Sequence, residues 1–183
     1  TMSEGFLVID AIKDFRAAYP KLQNTTLSAE QQKKLVAYYT DIFIPKLRKN
    51  VEGEPALATY LPSTPTDRYL TYHYTANNPN RTHPELLNDA GDGSEYSAAH
   101  RKYSQRFRRL ADVFHYRDVY LVDVDSGDVI FSVAKEADMG SNLKTGVYSD
   151  TALAKAFDEI RKSRDPNFVY ISDIEHYLSL IHI

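Results

Sequence analysis

The feature of the sequence that most constrains the fold is a change of hydrophobic period near residue 115. Between residues 96 and 114, apolar side chains recur at steps of three or four, which is the spacing of one face of an α-helix. The members of this stripe are Tyr96, Ala99, Tyr103, Phe107, Leu110 and Phe114. After it, residues 119–124 and 129–133 are rich in β-branched and aromatic side chains, and residues 125–128 between them have the composition of a tight turn. The pattern predicts a helix followed by a β-hairpin.

Two helices are predicted ahead of this pair. Residues 4–19 carry a one-sided apolar stripe, and Pro20 is expected to end the helix because proline has no N–H to donate. Ser28 then opens a second helix, since Gln31 stands three residues later, as in a capping box. The N-terminal half is therefore expected to be helical.

Four weaker patterns complete the assignment. Residues 67–76 favour a short helix, and Ser94 is the expected N-cap of the striped helix. A last helix is predicted to begin at Ser149 or Asp150, and residues 168–172 are predicted to form a third strand.

The predicted fold class is α+β, with long N-terminal helices followed by a partial antiparallel sheet. Three parts are expected along the chain: a helical part at 1–115, an α/β part at 116–177, and a tail at 178–183 that is not expected to be native sequence. The abrupt end of the chain suggests a truncated C-terminus, which would leave the sheet with an open edge.

Composition excludes several functional classes. The chain has 183 residues, of which 43% are hydrophobic, so it is long enough to bury a core. Its net charge of −3 gives no electrostatic case for nucleic acid. It has no cysteine, which excludes disulfides, thiolate zinc sites and a cysteine nucleophile. No apolar run is long enough to span a bilayer, so any membrane helix would lie outside residues 1–183.

Two carboxylate patterns are candidate sites of chemistry. Asp123 and Asp125, two apart after an apolar segment, resemble the phosphatase motif of the haloacid dehalogenase superfamily, in which one aspartate attacks phosphorus and the other is the general acid/base. A hairpin turn is the favoured interpretation, because Asp commonly bonds its own backbone there. Asp89, Asp92 and Glu95 hint at calcium, but their spacing does not match a calcium loop. No cofactor or metal site is predicted.

Several short segments resemble a family of bacterial sensors. They are residues 70–79, 87–93, Tyr96 and His100 in the first half, and 116–123, 127–133, 135–138, 141–143, 145–146, 153–154 and 172–173 in the second. Together they are similar to the extracytoplasmic Cache/PAS-like sensor region of transmembrane receptors, over roughly residues 5–177. Those receptors include methyl-accepting chemotaxis proteins, adenylate/guanylate cyclases and sensor histidine kinases. Val147 departs from the family, which usually has proline at that step.

The resemblance implies a function without catalysis in this segment. It implies an antiparallel sheet with a ligand pocket on one face, and membrane helices before residue 1 and well after residue 183. It also implies a periplasmic location, a homodimer formed through the N-terminal helices, and signalling by ligand-biased helix movement. A small-molecule ligand is the expected partner.

Five polar residues are predicted to contact that ligand. They are Lys135, Asn142, Tyr148, Asp173 and Tyr177, which are expected to surround a floor formed by the hairpin, through residues such as Tyr120, Val122 or Phe131. The Lys135 ammonium could hold a carboxylate, and Asp173 could hold an amine. Two other functions stay open: a non-sensory dimerisation module built on residues 96–114, and the phosphatase.

Overall fold

The computed structural model describes residues 2–51, 53–165 and 167–172. Seven α-helices are present in these residues: α1 (Met2–Ala18), α2 (Ala29–Tyr38), α3 (Ile44–Leu47), α4 (Leu57–Tyr60), α5 (Pro65–Leu70), α6 (Glu95–Phe114) and α7 (Ala152–Lys162). Two strands, β1 (Tyr120–Val122) and β2 (Val129–Ser132), pair antiparallel. The fold is therefore mixed, with mostly helix and one small antiparallel sheet, as the α+β prediction requires at this coarse level. Within the described ranges, none of the helices combines the length and the apolar character needed to cross a membrane.

Shorter helical turns extend several of these elements. They are 3₁₀ turns at Tyr19–Asn24, Pro84–Leu86 and Gly146–Tyr148, and π-helical turns at Tyr39–Phe43 and Thr71–Ala76. The α-helical part of the first segment ends at Ala18, and the chain continues through Pro20 in the first 3₁₀ turn. The first π turn joins α2 to α3 just before Pro45, whose missing N–H breaks the regular hydrogen-bond ladder there.

Local capping signals decide where most helices begin. The Ser28 capping box is confirmed, since the Ser28 N–H donates to Gln31 Oε1 at 2.8 Å and the Gln31 N–H donates to Ser28 Oγ at 3.3 Å. The Ser94 cap of α6 is also confirmed. For α7 the predicted cap was wrong by one or two residues, because Thr151 accepts from the Ala154 N–H.

The stripe of α6 lies in the main core. Phe15 of α1 packs between α6 and β2, with its ring centroid 5.3 Å from that of Tyr96 and 5.2 Å from that of Phe131. Phe107 reaches the same Phe131 ring at 5.2 Å. One core cluster therefore joins the helical part of the chain to the hairpin, and the apolar face of α6 is largely covered by the same chain. The prediction that Phe114 is part of the buried face was wrong, since this residue is 58% exposed at the end of α6.

The hairpin has the predicted position with one irregularity. Leu121 pairs with Phe131 and Val122 pairs with Val129. Ile130 of β2 is therefore an extra residue with no partner in β1, which is a β-bulge. The predicted third strand at 168–172 was wrong. These residues form no strand and pair with none in the described part of the chain, and Ile171 is 87% exposed. β-branched composition does not make a strand without a neighbour to pair with.

Candidate functional site

A cavity of about 670 Å³ lies where the helical half of the chain meets the loop that follows the hairpin. Its lining comes from the first 3₁₀ turn (Tyr19, Gln23), from Tyr39, from residues 58–67, and from Asp128, Ala137, residues 140–142 and residues 145–148. This volume is within the range of small-molecule sites, which is about 300–1,000 Å³. The cavity is the candidate functional site.

Gly140 allows the two halves to approach each other at the cavity. The Tyr19 hydroxyl donates to the Gly140 carbonyl at 3.2 Å, across 121 residues of sequence. Gly140 has a φ of +91°, and a Cβ built on it would lie 3.2 Å from Asp67 Cα and 3.3 Å from Asp67 Oδ1. Any larger residue would be strained in this backbone conformation and would press on the first turn of α5. Glycine is thus required where the loop meets α5.

Asp67 carries the most perturbed carboxyl group of the cavity. The Thr64 side chain caps α5 by accepting from the Asp67 N–H at 3.1 Å, which places Asp67 in the first helical turn. Burial raises the pKa of the Asp67 carboxyl from 3.8 to about 7, against the lowering effect of a hydrogen bond from the Thr71 hydroxyl. The nearby Asp128 carboxylate adds to the increase. Asp67 therefore titrates near neutral pH.

Two hydroxyl groups in the lining have no hydrogen-bond partner within the described ranges. Thr66 Oγ1 and Ser141 Oγ are both buried, with the residues only 4% and 9% exposed. A buried hydroxyl without a partner costs free energy, so natural proteins contain few of them. Both hydroxyls belong to the segments that Gly140 brings together, one in α5 and one in the loop.

Buried tyrosines supply apolar surface and neutral hydroxyls. Burial raises the pKa of the Tyr19 and Tyr39 phenols far above the usual value, so both stay protonated at any physiological pH. Tyr39 lies in the first π turn, and π turns occur often at functional sites. These rings can pack against the organic part of a ligand.

Two of the predicted ligand residues lie in this cavity. Asn142 and Tyr148 both belong to its lining. The Asn142 amide donates to Asp128 Oδ1 at 2.7 Å and to the Ser126 carbonyl at 3.0 Å, and its oxygen accepts from the Lys144 N–H at 2.8 Å. Asn142 therefore holds the loop against the hairpin turn and positions one Asp128 oxygen. Two further candidates, Asp173 and Tyr177, lie outside the described residues.

Lys135 lies elsewhere. It borders a separate cavity of about 70 Å³, and its ammonium donates to the Val133 carbonyl at 2.9 Å and to the Glu85 carbonyl at 3.3 Å. Lys135 is only 1% exposed, and burial lowers the pKa of its ammonium to about 8. Its φ of +56° is unusual for a residue with a side chain. The structure therefore does not bring Lys135 together with Asn142 and Tyr148.

The hairpin does not provide the expected floor of the large cavity. Phe131, one of the residues expected there, packs in the main core against Phe15 and Phe107 instead. The floor comes from the first 3₁₀ turn, the residues before α5 and the loop after the hairpin.

The aspartates of the phosphatase-like pattern hold a turn. Asp123 Oδ1 accepts from the backbone N–H groups of Asp125 at 2.9 Å and Ser126 at 2.8 Å, as in the turn interpretation. Its other oxygen pairs with Arg16 Nε at 2.8 Å, and Arg16 also pairs with Asp125. These contacts fasten the hairpin turn to α1.

The acidic loop before α6 has similar local contacts. Asp89 Oδ1 accepts from the Gly91 N–H at 2.8 Å, while its other oxygen pairs with Arg101 at 2.8 Å. Asp92 Oδ1 accepts from the Ser94 N–H at 3.2 Å. Among the residues that the structure describes, no group of three acidic or histidine side chains is arranged to hold a metal ion.

The residues that matter most in the cavity were not identified from the sequence as site residues. The sequence pattern assigned Thr66 and Asp67 to a helix cap and Asp128 to a tight turn. Both assignments are locally reasonable, since Asp and Thr are common in these positions for backbone reasons. The only signal in the sequence is that the segments around Asp67 and Asp128 both contain a carboxylate. Carboxylates are too common in protein loops and helix caps for this signal to identify a site.

No protein-family model, curated protein or solved structure matches this chain. The cavity, the chemistry of its lining and the resemblance in the sequence are therefore the features that bear on function. The cavity is formed by contacts between segments far apart in the chain, and it contains polar groups that the fold itself leaves unsatisfied.

Proposed function

We propose that this chain is the extracytoplasmic, Cache/PAS-like ligand-sensing segment of a bacterial transmembrane receptor. The observation that carries the proposal is the cavity of about 670 Å³ between the α5 region and the loop after the hairpin. Cavities of this size with a few placed polar groups are typical of small-molecule sites. In this proposal the segment binds a ligand on the periplasmic side and catalyses no reaction. A chemotaxis, cyclase or histidine kinase domain would give the output.

The contacts around the cavity supply a route for the signal. A ligand that touches both α5 and the loop would favour one spacing between them, and so shift an equilibrium between two arrangements. The loop contacts the helical continuation of α1 through the hydrogen bond from Tyr19 to Gly140. Arg16 links the same helix to the hairpin turn. A change at the cavity would therefore reach α1, which in this proposal leads back to a membrane helix and takes part in a homodimer.

The test blocks the cavity at a residue whose side chain is exposed. Ala58 lines the cavity and is exposed, so Ala58→Trp would fill the opening without disturbing the core. Ala98, exposed on α6 and not part of the cavity lining, provides the matched control Ala98→Trp. Thermal unfolding would be followed in the presence of a panel of amines, amino acids, carboxylates, sugars and nucleobases.

We expect at least one class of compound to raise the unfolding temperature of the unmodified chain and of Ala98→Trp, but not of Ala58→Trp, because a ligand stabilises the state that binds it. The proposal fails if no class has an effect, or if Ala58→Trp responds as the unmodified chain does. It also fails if the parent polypeptide has no membrane-spanning segment.

A further inference from the structure

We infer that the cavity binds a small organic cation whose ammonium group is held by Asp67 and Asp128. This inference rests on the proposed function and adds the chemical class of the ligand. It is carried by two independent observations: the sign of the charge in the cavity, and the unsatisfied hydroxyl groups next to that charge.

The charge of the lining is negative, and the nearest basic group, Arg68, acts on Asp67 only through its charge and forms no salt bridge with it. Among the described residues that line the cavity, two are aspartates and none is lysine, arginine or histidine. No salt bridge to Asp67 or Asp128 is formed within the described part of the chain. The adjacent Arg68 instead donates Nε to the Pro62 carbonyl at 3.0 Å, and the side-chain donor to Asp128 is the neutral amide of Asn142. A cation from outside the chain would satisfy both carboxylates.

The hydroxyl groups give the second observation. Thr66 and Ser141 belong to the lining of the cavity and are more than nine-tenths buried, and their side-chain oxygens have no partner among the described residues. Thr66 precedes Asp67 directly, and Ser141 follows Gly140, whose hypothetical Cβ would lie 3.3 Å from Asp67 Oδ1. An ammonium group has three N–H donors and no acceptor, so carboxylate and hydroxyl oxygens together match its needs.

The same arrangement disfavours the other ligand charges. An anion would meet two carboxylates and no basic side chain in the described lining, which is repulsive at short range. A divalent metal requires about six or more oxygen ligands, whereas no group of three metal-binding side chains is present in the described ranges. The buried face of Tyr39 and the ring of Tyr148 suit the hydrocarbon part of an organic cation.

The test compares four-carbon compounds that differ mainly in charge: putrescine, 1,4-butanediol and succinate. Agmatine, tyramine and choline extend the cationic arm, and calcium chloride tests an inorganic ion. Isothermal titration calorimetry at pH 8 would measure binding to the unmodified chain. We expect binding by at least one ammonium compound, and none by butanediol, succinate or calcium.

Substitutions then assign the site. Asp67→Asn and Asp128→Asn should each weaken binding of that ammonium compound at least tenfold, because each removes a charge-assisted hydrogen bond. Thr66→Val keeps the shape of the side chain and removes only an unpartnered hydroxyl, so it should weaken binding about tenfold without lowering the unfolding temperature. Asp41→Asn is the matched control, since Asp41 borders a different cavity of about 610 Å³. It should bind as the unmodified chain does.

Each alternative outcome has a distinct meaning. Binding of succinate or calcium, or ammonium binding that survives both aspartate substitutions, would overturn the ligand class. In that case a loss of binding in Ala58→Trp would still support the proposed sensor. If no compound of any charge binds, the ligand class and the proposed function both fail. Should the aspartate variants fold poorly, Thr66→Val decides the question, because unchanged affinity in that variant contradicts the assignment.

Discussion

Replacing Asp67 by asparagine should stabilise the protein near neutral pH and have almost no effect near pH 4. Burial raises the pKa of this carboxyl from 3.8 to about 7. A carboxyl with a raised pKa in the folded state keeps its proton between about pH 4 and pH 7, while the unfolded chain has already lost it. The contribution of Asp67 to stability therefore falls as the pH rises through this window and is constant above it. Asparagine is neutral at every pH and has no such penalty.

The size of the effect follows from the same pKa. Each pH unit between the folded and unfolded pKa corresponds to about 1.4 kcal/mol. The difference between 3.8 and about 7 therefore sets an upper limit of about 4 kcal/mol. Asp67 is only partly buried and borders a cavity that water can enter, so we expect about 2 kcal/mol at pH 8 after screening by solvent.

Urea unfolding at pH 4, 6 and 8, followed by far-ultraviolet circular dichroism, would measure the free energy of unfolding of both proteins. Asp41→Asn removes an exposed carboxylate and controls for a general change in net charge. Other groups titrate in both proteins, so only the difference between Asp67→Asn and the unmodified chain is interpreted. A difference that is the same at pH 4 and pH 8, or a less stable variant at pH 8, would refute the reasoning.

Three further predictions concern Gly140 in the cavity, the hairpin turn at Asp123 and the buried Lys135, and urea unfolding measures each of them. Gly140→Ala should cost about 2 kcal/mol more than Gly146→Ala, because its new Cβ would meet a backbone atom at 3.2 Å, whereas Gly146 has open space. Equal losses would contradict the close packing. Asp123→Ala should cost about 2 kcal/mol, since two turn N–H groups lose their acceptor, whereas the exposed Asp125→Ala should cost at most about 0.5 kcal/mol. The opposite order would contradict the turn assignment. Lys135, with its pKa lowered by burial from 10.5 to about 8, adds stability as the pH rises from 8 to 10.5. The free energy of unfolding of Lys135→Met should therefore decrease relative to that of the unmodified chain over that pH window. A difference that stays constant with pH would contradict a buried ammonium group.

The sequence predicted the elements that are set by local spacing. The stripe of α6, the hairpin turn and the caps at Ser28 and Ser94 each depend on residues within a few positions of one another, so they can be recognised without the fold. Errors occur where the environment is decided by distant parts of the chain. Phe114 fits the α6 stripe, but α6 extends past the elements that cover the rest of its apolar face, so the last member is exposed.

The cavity could not be predicted for the same physical reason. It depends on the contact of Tyr19 with Gly140 and on the approach of Gly140 to Asp67, which join segments more than 70 positions apart in sequence. Nothing in the local pattern around Asp67 distinguishes a carboxylate that borders a cavity from one that only begins a helix. Asn142 and Tyr148, which do line the cavity, can be predicted from the sequence because their loop follows the hairpin directly. This prediction does not depend on the position of α5.

The cavity lining conflicts with the needs of folding alone. A carboxyl that is charged only at the expense of stability and two buried hydroxyls without described partners would each be more stable as neutral or apolar groups. The carboxylates of Asp89 and Asp123, by contrast, are each paired with an arginine and with backbone N–H groups. Residues that reduce stability are expected where binding requires them, since a site prepared for a ligand keeps its polar groups unsatisfied until the ligand arrives. Asp67→Asn should therefore improve folding and weaken binding in the same protein, and only a functional role for Asp67 predicts both changes together.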